Sequence, residues 1–442
     1  MNGPKIAMIG AGSVVFARAL MSDILSLPAL AHSEIRLHDI NARRLETAEM
    51  MVASIARTLG VAPTIRASLD RVEALRDADY VINAIQVGGF DATLRDFEIP
   101  KKYGLRQTIA DTLGIGGIFR ALRTIPVLLE VCADMRRHAP GALLLNYTNP
   151  MVMLCLAVER AGGVPSVGLC HSVQHTSHRL ADYAGVRPED VWYRVAGINH
   201  MSWFLEFRHR DGTDLYPALW EASNDPACFG RDPVRFEMMR RLGYFVTESS
   251  EHFAEYLPYF IKRPAEVARL SIPLDEYIHR SERNLNRAEE ARARLDRGES
   301  LEVRRSDEFA AYIINAIETN RDWSFHGNVA NRGLIDNLPT DTIVEVPILV
   351  NAAGLQPVAM GTLPTQLAGM NRTNIATQQL VVEAVLTGNR DHLYHAAMLD
   401  PLTAAVLSVD EIWRMVDEMY DAHRDLMPRL LAQRLHPIPA LA

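Results

Sequence analysis

The sequence predicts an α/β fold, with an N-terminal parallel sheet wrapped by helices and a C-terminal α+β part. Three observations predict it. Short apolar runs alternate with longer amphipathic stretches through the first half. The first of these runs leads straight into a glycine turn. The second half changes texture, to mixed strand and charged helices. Strand–helix alternation argues a parallel sheet, because each crossover helix covers a sheet face.

Taken in order, Lys5–Ile9 reads as a strand and Val14–Leu27 as a helix, with Phe16, Leu20, Ile24 and Leu27 at helical spacing. Ser33–Asp39 is a strand ending in an acid, and Asn41–Leu59 is helical. Tyr80–Ile85 is a buried strand closed by Gly88 and Gly89. Ile118–His138 is a helix, and Ala142–Asn146 and Ser166–Cys170 are strands. Beyond them Tyr193–Phe207 reads as mixed strand. Glu289–Asp296, Ser306–Thr319, Asn374–Gly388 and Val409–Arg429 read as helices. The expected division is a dinucleotide-binding domain over 1–185 and an α+β domain for substrate, metal and oligomer contacts over 186–442.

Composition excludes several classes. The chain has 442 residues and a formal net charge of −8. An acidic chain without a basic run suits neither nucleic acid nor an anionic membrane surface. The start carries no charged and apolar leader, and no apolar run is long enough to span a bilayer. Cys132, Cys155, Cys170 and Cys228 are scattered without a CxxC pair, which argues against a zinc knuckle and suits a reducing cytosol. The expectation is a cytoplasmic protein.

Gly10-Ala-Gly12-Ser13 follows the first strand and opens the first helix. The first glycine allows a tight turn, and the second lets the backbone approach a pyrophosphate. The helix N-terminus then offers free N–H groups to the anion. This is a Rossmann-type turn, although Val15 stands where the third glycine of GxGxxG would fall. Asp39 lies 27 residues beyond Gly12 (39 minus 12) and ends the second strand. A carboxylate there accepts ribose hydroxyls and repels a 2′-phosphate, so NAD is expected over NADP. Asn83 ends another strand and is expected to line the cofactor.

The other strand ends are rich in polar residues. Asp111-Thr-Leu-Gly opens a helix; Asn146-Tyr-Thr-Asn149-Pro, Cys170-His171-Ser-Val and Gly197-Ile-Asn-His200 follow in that order. Ligands of open α/β sheets bind at such carboxyl ends. Together these motifs resemble the family 4 glycoside hydrolases, the NAD- and metal-dependent group related in fold to lactate and malate dehydrogenases. The resemblance runs from Gly10 to the segment 354–364. It implies that Cys170 and His200 hold a divalent metal, usually manganese, that Asp111 is a catalytic residue in contact with the sugar, and that Asn146 and Asn149 line the sugar site. Cys170-His-Ser-Val173 looks like the α-galactosidase subgroup, since the phosphoglucosidase subgroups usually carry Asp or Asn after the cysteine.

The family reaction is oxidation at C3, proton removal at C2, elimination and addition of water. The resemblance places the C2 base at Tyr256, with Tyr259 in reserve. His171 stands where the phosphoglucosidases often carry an acid, and could donate the proton to the leaving oxygen. α-Glucosides, α-glucuronides and α-galacturonides stay open as substrates. Relatives form dimers or tetramers. Outside the family, a lactate/malate-type dehydrogenase shares the first half.

Overall fold

The computed structural model describes residues 3–306 and 308–427. Six parallel strands come first: β1 (Lys5–Ile9), β2 (Glu34–His38), β3 (Thr64–Ser68), β4 (Tyr80–Asn83), β5 (Leu143–Asn146) and β6 (Ser166–Gly168). Their order, β3-β2-β1-β4-β5-β6, is that of a dinucleotide-binding sheet. Such strands are covered on both faces, so they read as short apolar runs rather than as alternating ones. β1 and β4 are the clearest cases, with Ile6, Ala7, Met8, Val81 and Ile82 fully buried.

The second half adds strands to the same sheet. It contributes β7 (Val191–Ile198), β8 (Met201–His209), β9 (Phe245–Val246), β10 (Trp323–Ala330), β11 (Ile343–Asn351) and β12 (Gly354–Pro357). β10 joins β6 in antiparallel fashion, and the order continues β10-β11-β7-β8-β9, with β12 on β11. The result is one sheet of 12 strands.

Most sequence expectations fall on observed elements, with shifted ends. The Tyr193–Phe207 region is the β7–β8 hairpin. The Glu289–Asp296 helix is the end of a longer one, Glu276–Asp296, and Asn374–Gly388 lies largely within Thr365–Thr387. Of the expected Val409–Arg429 helix, Val409–Ala422 is helical; positions 428 and 429 lie outside the described residues. β3, β9, β10, β11 and β12 are not among the expected strands. Among the described residues no helix is long and apolar enough to cross a membrane.

Candidate active site

Two sets of polar groups stand at the carboxyl ends of the parallel strands. The first is the turn after β1. Gly10 has φ +88, and a Cβ there would stand 2.6 Å from the Ala84 carbonyl oxygen. A Cβ on Gly12 would stand 2.5 Å from Asp39 Oδ2. Both positions therefore require glycine. The Gly12 N–H donates to Asp39 Oδ2 at 2.8 Å and the Asn41 N–H to Oδ1 at 2.9 Å. A carboxylate has about four acceptor positions, so Asp39 keeps capacity for ribose hydroxyls. Ser13 precedes the Val14–Ser26 helix, is exposed, and makes no side-chain cap bond. The helix N-terminus thus stays open, and Val15, in place of the third glycine, is half-exposed.

The second set surrounds Cys170, just past β6. Cys170 Sγ lies 3.3 Å from His200 Nε2. His200 sits in the β7–β8 turn with φ +63, a left-handed conformation uncommon for a residue with a Cβ. Glu248 Oε2 lies 3.1 Å from the same His200 Nε2. The three ligand atoms of Cys170, His200 and Glu248 lie within 4.8 Å of one another. Thiolate, imidazole and carboxylate on one point form a donor set that fits a divalent metal. The sequence reading named Cys170 and His200 and missed Glu248.

Electrostatics follow from this packing. Burial pushes the Cys170 thiol up, but the His200 charge together with hydrogen bonds from His200 and Ser172 brings the thiol down to about 7. Burial pulls His200 down, yet the charges of Glu248 and Cys170 raise it to about 9. The two groups thus favour each other's charged form, thiolate beside imidazolium.

Behind His200 lies a chain of buried groups. The Tyr256 hydroxyl is 2.8 Å from His200 Nδ1 and 2.8 Å from His252 Nε2. His252 Nε2 is also 3.4 Å from Asp111 Oδ1 and 3.4 Å from Glu255 Oε1. Burial and the charges of Glu248, Glu255 and Asp111 hold the Tyr256 phenol well above its ordinary range. Burial opposes ionisation of Asp111 too, but bonding to His252 and the charges of His252 and Arg120 hold its carboxyl below the usual range. Tyr256 is 0% exposed. Tyr259 is half-exposed and packs on Phe260.

The remaining expected residues divide. Asn149 Nδ2 lies 3.4 Å from Asp111 Oδ2, so these two share one wall. Asn83 and Asn146 pair in register across β4 and β5, and both are buried. The Asn83 amide donates to Asn146 Oδ1 at 2.8 Å and Thr148 Oγ1 at 3.2 Å, so its side chain ties the strand ends together. His171 Nε2 lies 3.0 Å from Glu308 Oε2. Glu308, 137 positions further along (308 minus 171), is held in place by its N–H, which donates to the buried Asp23 at 3.0 Å. Glu255, His252 and Glu308 escaped the sequence reading. The four-residue steps Glu248–His252–Tyr256 were a visible signal for one face of a helical turn; Glu308 left none.

A dinucleotide-type sheet carrying a thiolate–imidazole–carboxylate pocket defines an enzyme with both cofactor and metal positions. Residues 5–186 match the family 4 glycosyl hydrolase model, and residues 195–403 match its C-terminal domain. The chain belongs to the family 4 glycosyl hydrolases. It is similar to an α-galactosidase of Bacillus subtilis strain 168, with 47% identity over 96% of this chain and 99% of that one. An α-galactosidase of Rhizobium meliloti strain 1021 is 39% identical over 96% of this chain and 89% of that one. In fold it is similar to a 6-phospho-α-glucosidase from gut microorganisms, solved in complex with NAD and Mn2+ (TM-score 0.82, 21% identity, 97% of this chain and 99% of that one). Family membership sets aside the plain dehydrogenase alternative.

Proposed function

We propose that this chain hydrolyses α-galactosides using NAD and a divalent metal, manganese first among them. The Cys170–His200–Glu248 cluster carries the proposal, because it stands at the same sheet edge as the Gly10–Asp39 turn. The α-galactosidase relatives support the sugar. When bound, NAD would supply a hydride acceptor and the metal a Lewis acid, which together would make the C2 proton acidic.

The chain's own residues do the rest. Gly10, Gly12 and Ser13 offer the pyrophosphate a helix N-terminus, and Asp39 takes the ribose. Asp111 and Asn149 hold sugar hydroxyls from one wall, while Asn83 and Asn146 fix the strand ends beneath them. Cys170, His200 and Glu248 hold the metal. His171, oriented by Glu308, protonates the departing glycosidic oxygen. Tyr256, whose hydroxyl lies 2.8 Å from both His200 Nδ1 and His252 Nε2, takes the C2 proton; the charge of a bound metal and the two imidazoles would have to offset the burial and acidic neighbours that hold its phenol up. A second reading is favoured by the zero exposure of Tyr256: it acts through His200, fixing the ring by its bond to Nδ1. Water then adds at C1 and the hydrogens return, so no net redox change occurs. A homodimer or homotetramer in the cytoplasm, with the boundary between halves near 185, completes the proposal.

The test is a panel of nitrophenyl α-glycosides with NAD, manganese and a thiol. Nitrophenol should be released from the α-galactoside without accumulation of NADH. Release from the glucoside, glucuronide or galacturonide instead would move the substrate. NADH accumulating with no nitrophenol would defeat the hydrolase assignment.

Asp39 gives a separate expectation. Asp39→Ala should weaken NAD binding by about tenfold or more, the cost of one charge-assisted hydrogen bond at least, and narrow the preference over NADP. Titration by protein fluorescence measures both. Equal affinity of the unaltered protein for the two cofactors would sink the ribose assignment.

A further inference from the structure

Glu255 is a buried carboxylate with no place in the metal cluster, and it is 1% exposed. Its Oε2 accepts the N–H of Thr108 at 2.9 Å and of Ile109 at 3.2 Å, and its Oε1 accepts the N–H of Ala110 at 2.9 Å. Three consecutive amides thus converge on one side chain. The segment they belong to is neither helix nor strand. Its other ties come from nearby: the Thr108 hydroxyl donates to the Glu251 carbonyl at 2.8 Å, and the Tyr277 N–H to the Thr108 carbonyl at 3.0 Å. Ala110 ends the segment with φ +52, a conformation that persists in a non-glycine residue only when its surroundings impose it. The next residue is Asp111.

The same imidazole edge serves both acids. His252 Nε2 lies 3.4 Å from Glu255 Oε1 and 3.4 Å from Asp111 Oδ1. Burying an anion is costly unless its partners are well placed, and here the partners are the backbone that carries Asp111 and the histidine that faces it. We propose that Glu255 is a positioning residue: by gathering the 108–110 amides it fixes where the Asp111 carboxylate meets the sugar. This rests on the reading of Asp111 as a sugar contact.

A double-mutant cycle tests it on the full chain with nitrophenyl α-galactoside, NAD and manganese. Glu255→Gln keeps the side-chain shape but turns an amide N–H toward the backbone donors. It should lower kcat/KM by about a hundredfold, the scale set by a misplaced contact group. NAD and manganese affinities and the far-ultraviolet circular dichroism should not change. Asp111→Asn should lose as much. The double variant should be no worse than the poorer single one, because coupled residues are non-additive. Losses that multiply, or a Glu255→Gln loss accompanied by weakened NAD binding, would overturn the role of Glu255 alone. Full activity of Asp111→Asn would overturn this inference together with the sugar-contact reading. Should Glu255→Gln fail to fold, Glu255→Asp retracts the carboxylate with its charge intact and enters the same cycle with the same expected outcome.

Discussion

Cys170→Ser and His200→Ala should each abolish turnover while fold and NAD binding remain. The 3.3 Å pair is the centre of the metal cluster, and neither side chain belongs to the Gly10–Asp39 turn. The metal's charge beside a developing oxyanion is worth several kcal/mol, so the loss should be at least about a thousandfold. A chelator should inactivate the unaltered protein, and manganese should restore it. pH sharpens the expectation. Both ligand atoms must shed their protons to bind metal. The thiol does so near about 7 and the imidazolium near about 9. Manganese affinity should therefore climb as pH rises across that interval, measured by equilibrium dialysis with elemental analysis. Affinity that is flat across the interval, or full activity in chelator with no metal in the protein, would refute the assignment.

Tyr256→Phe should cost about a hundredfold or more in kcat, the usual loss on removing a general base. The ring sits in a fully buried position, so the variant keeps its packing and removes only the hydroxyl between His200 and His252. Turnover in deuterated water separates the two roles open to this residue. Hydrolysis by the unaltered protein should leave deuterium at C2 of the product, since that proton is removed and returned. If Tyr256 is the base, exchange at C2 and hydrolysis should fall together in the variant. If it only fixes His200, the residual activity should still exchange C2, and manganese affinity should drop with the lost bond to Nδ1. Product from the unaltered protein with no deuterium at C2, together with a fully active Tyr256→Phe, would defeat the base assignment.

The two halves of the site differed in how far they could be read from sequence. The Gly10–Asp39 turn was legible because its residues are consecutive or end a strand, and glycine at a strand–helix junction has few other uses. Cys170 and His200 were legible through the order of their motifs. Their neighbours were not. Glu248, His252 and Glu255 lie in a run that drew notice for its tyrosine, and an acid in a charged stretch ordinarily reads as a solvated face. Only the tertiary fold turns Glu255 inward, onto amides some 145 positions away. Glu308 has the same history, since its partner His171 lies far away in sequence. The strands followed a similar rule. β1, β4, β5 and β6 are short, largely apolar runs between helices, and β2 alternates Ile35 and Leu37 with polar residues. β10 carries His326 and Asn328, and β11 carries Glu345 and Pro347, polar or strand-averse residues that hide a central strand.

The junction of β6 with β10 has an evolutionary consequence. A fragment ending near 185 would carry β6 as a raw edge, with its hydrogen-bonding groups open to any passing strand. The two portions therefore share one sheet rather than each closing its own. Exchange of parts between relatives must preserve the fit of Asn328 against Gly168, where a single added methyl would collide with Met151, Cys155 and Asn328 itself.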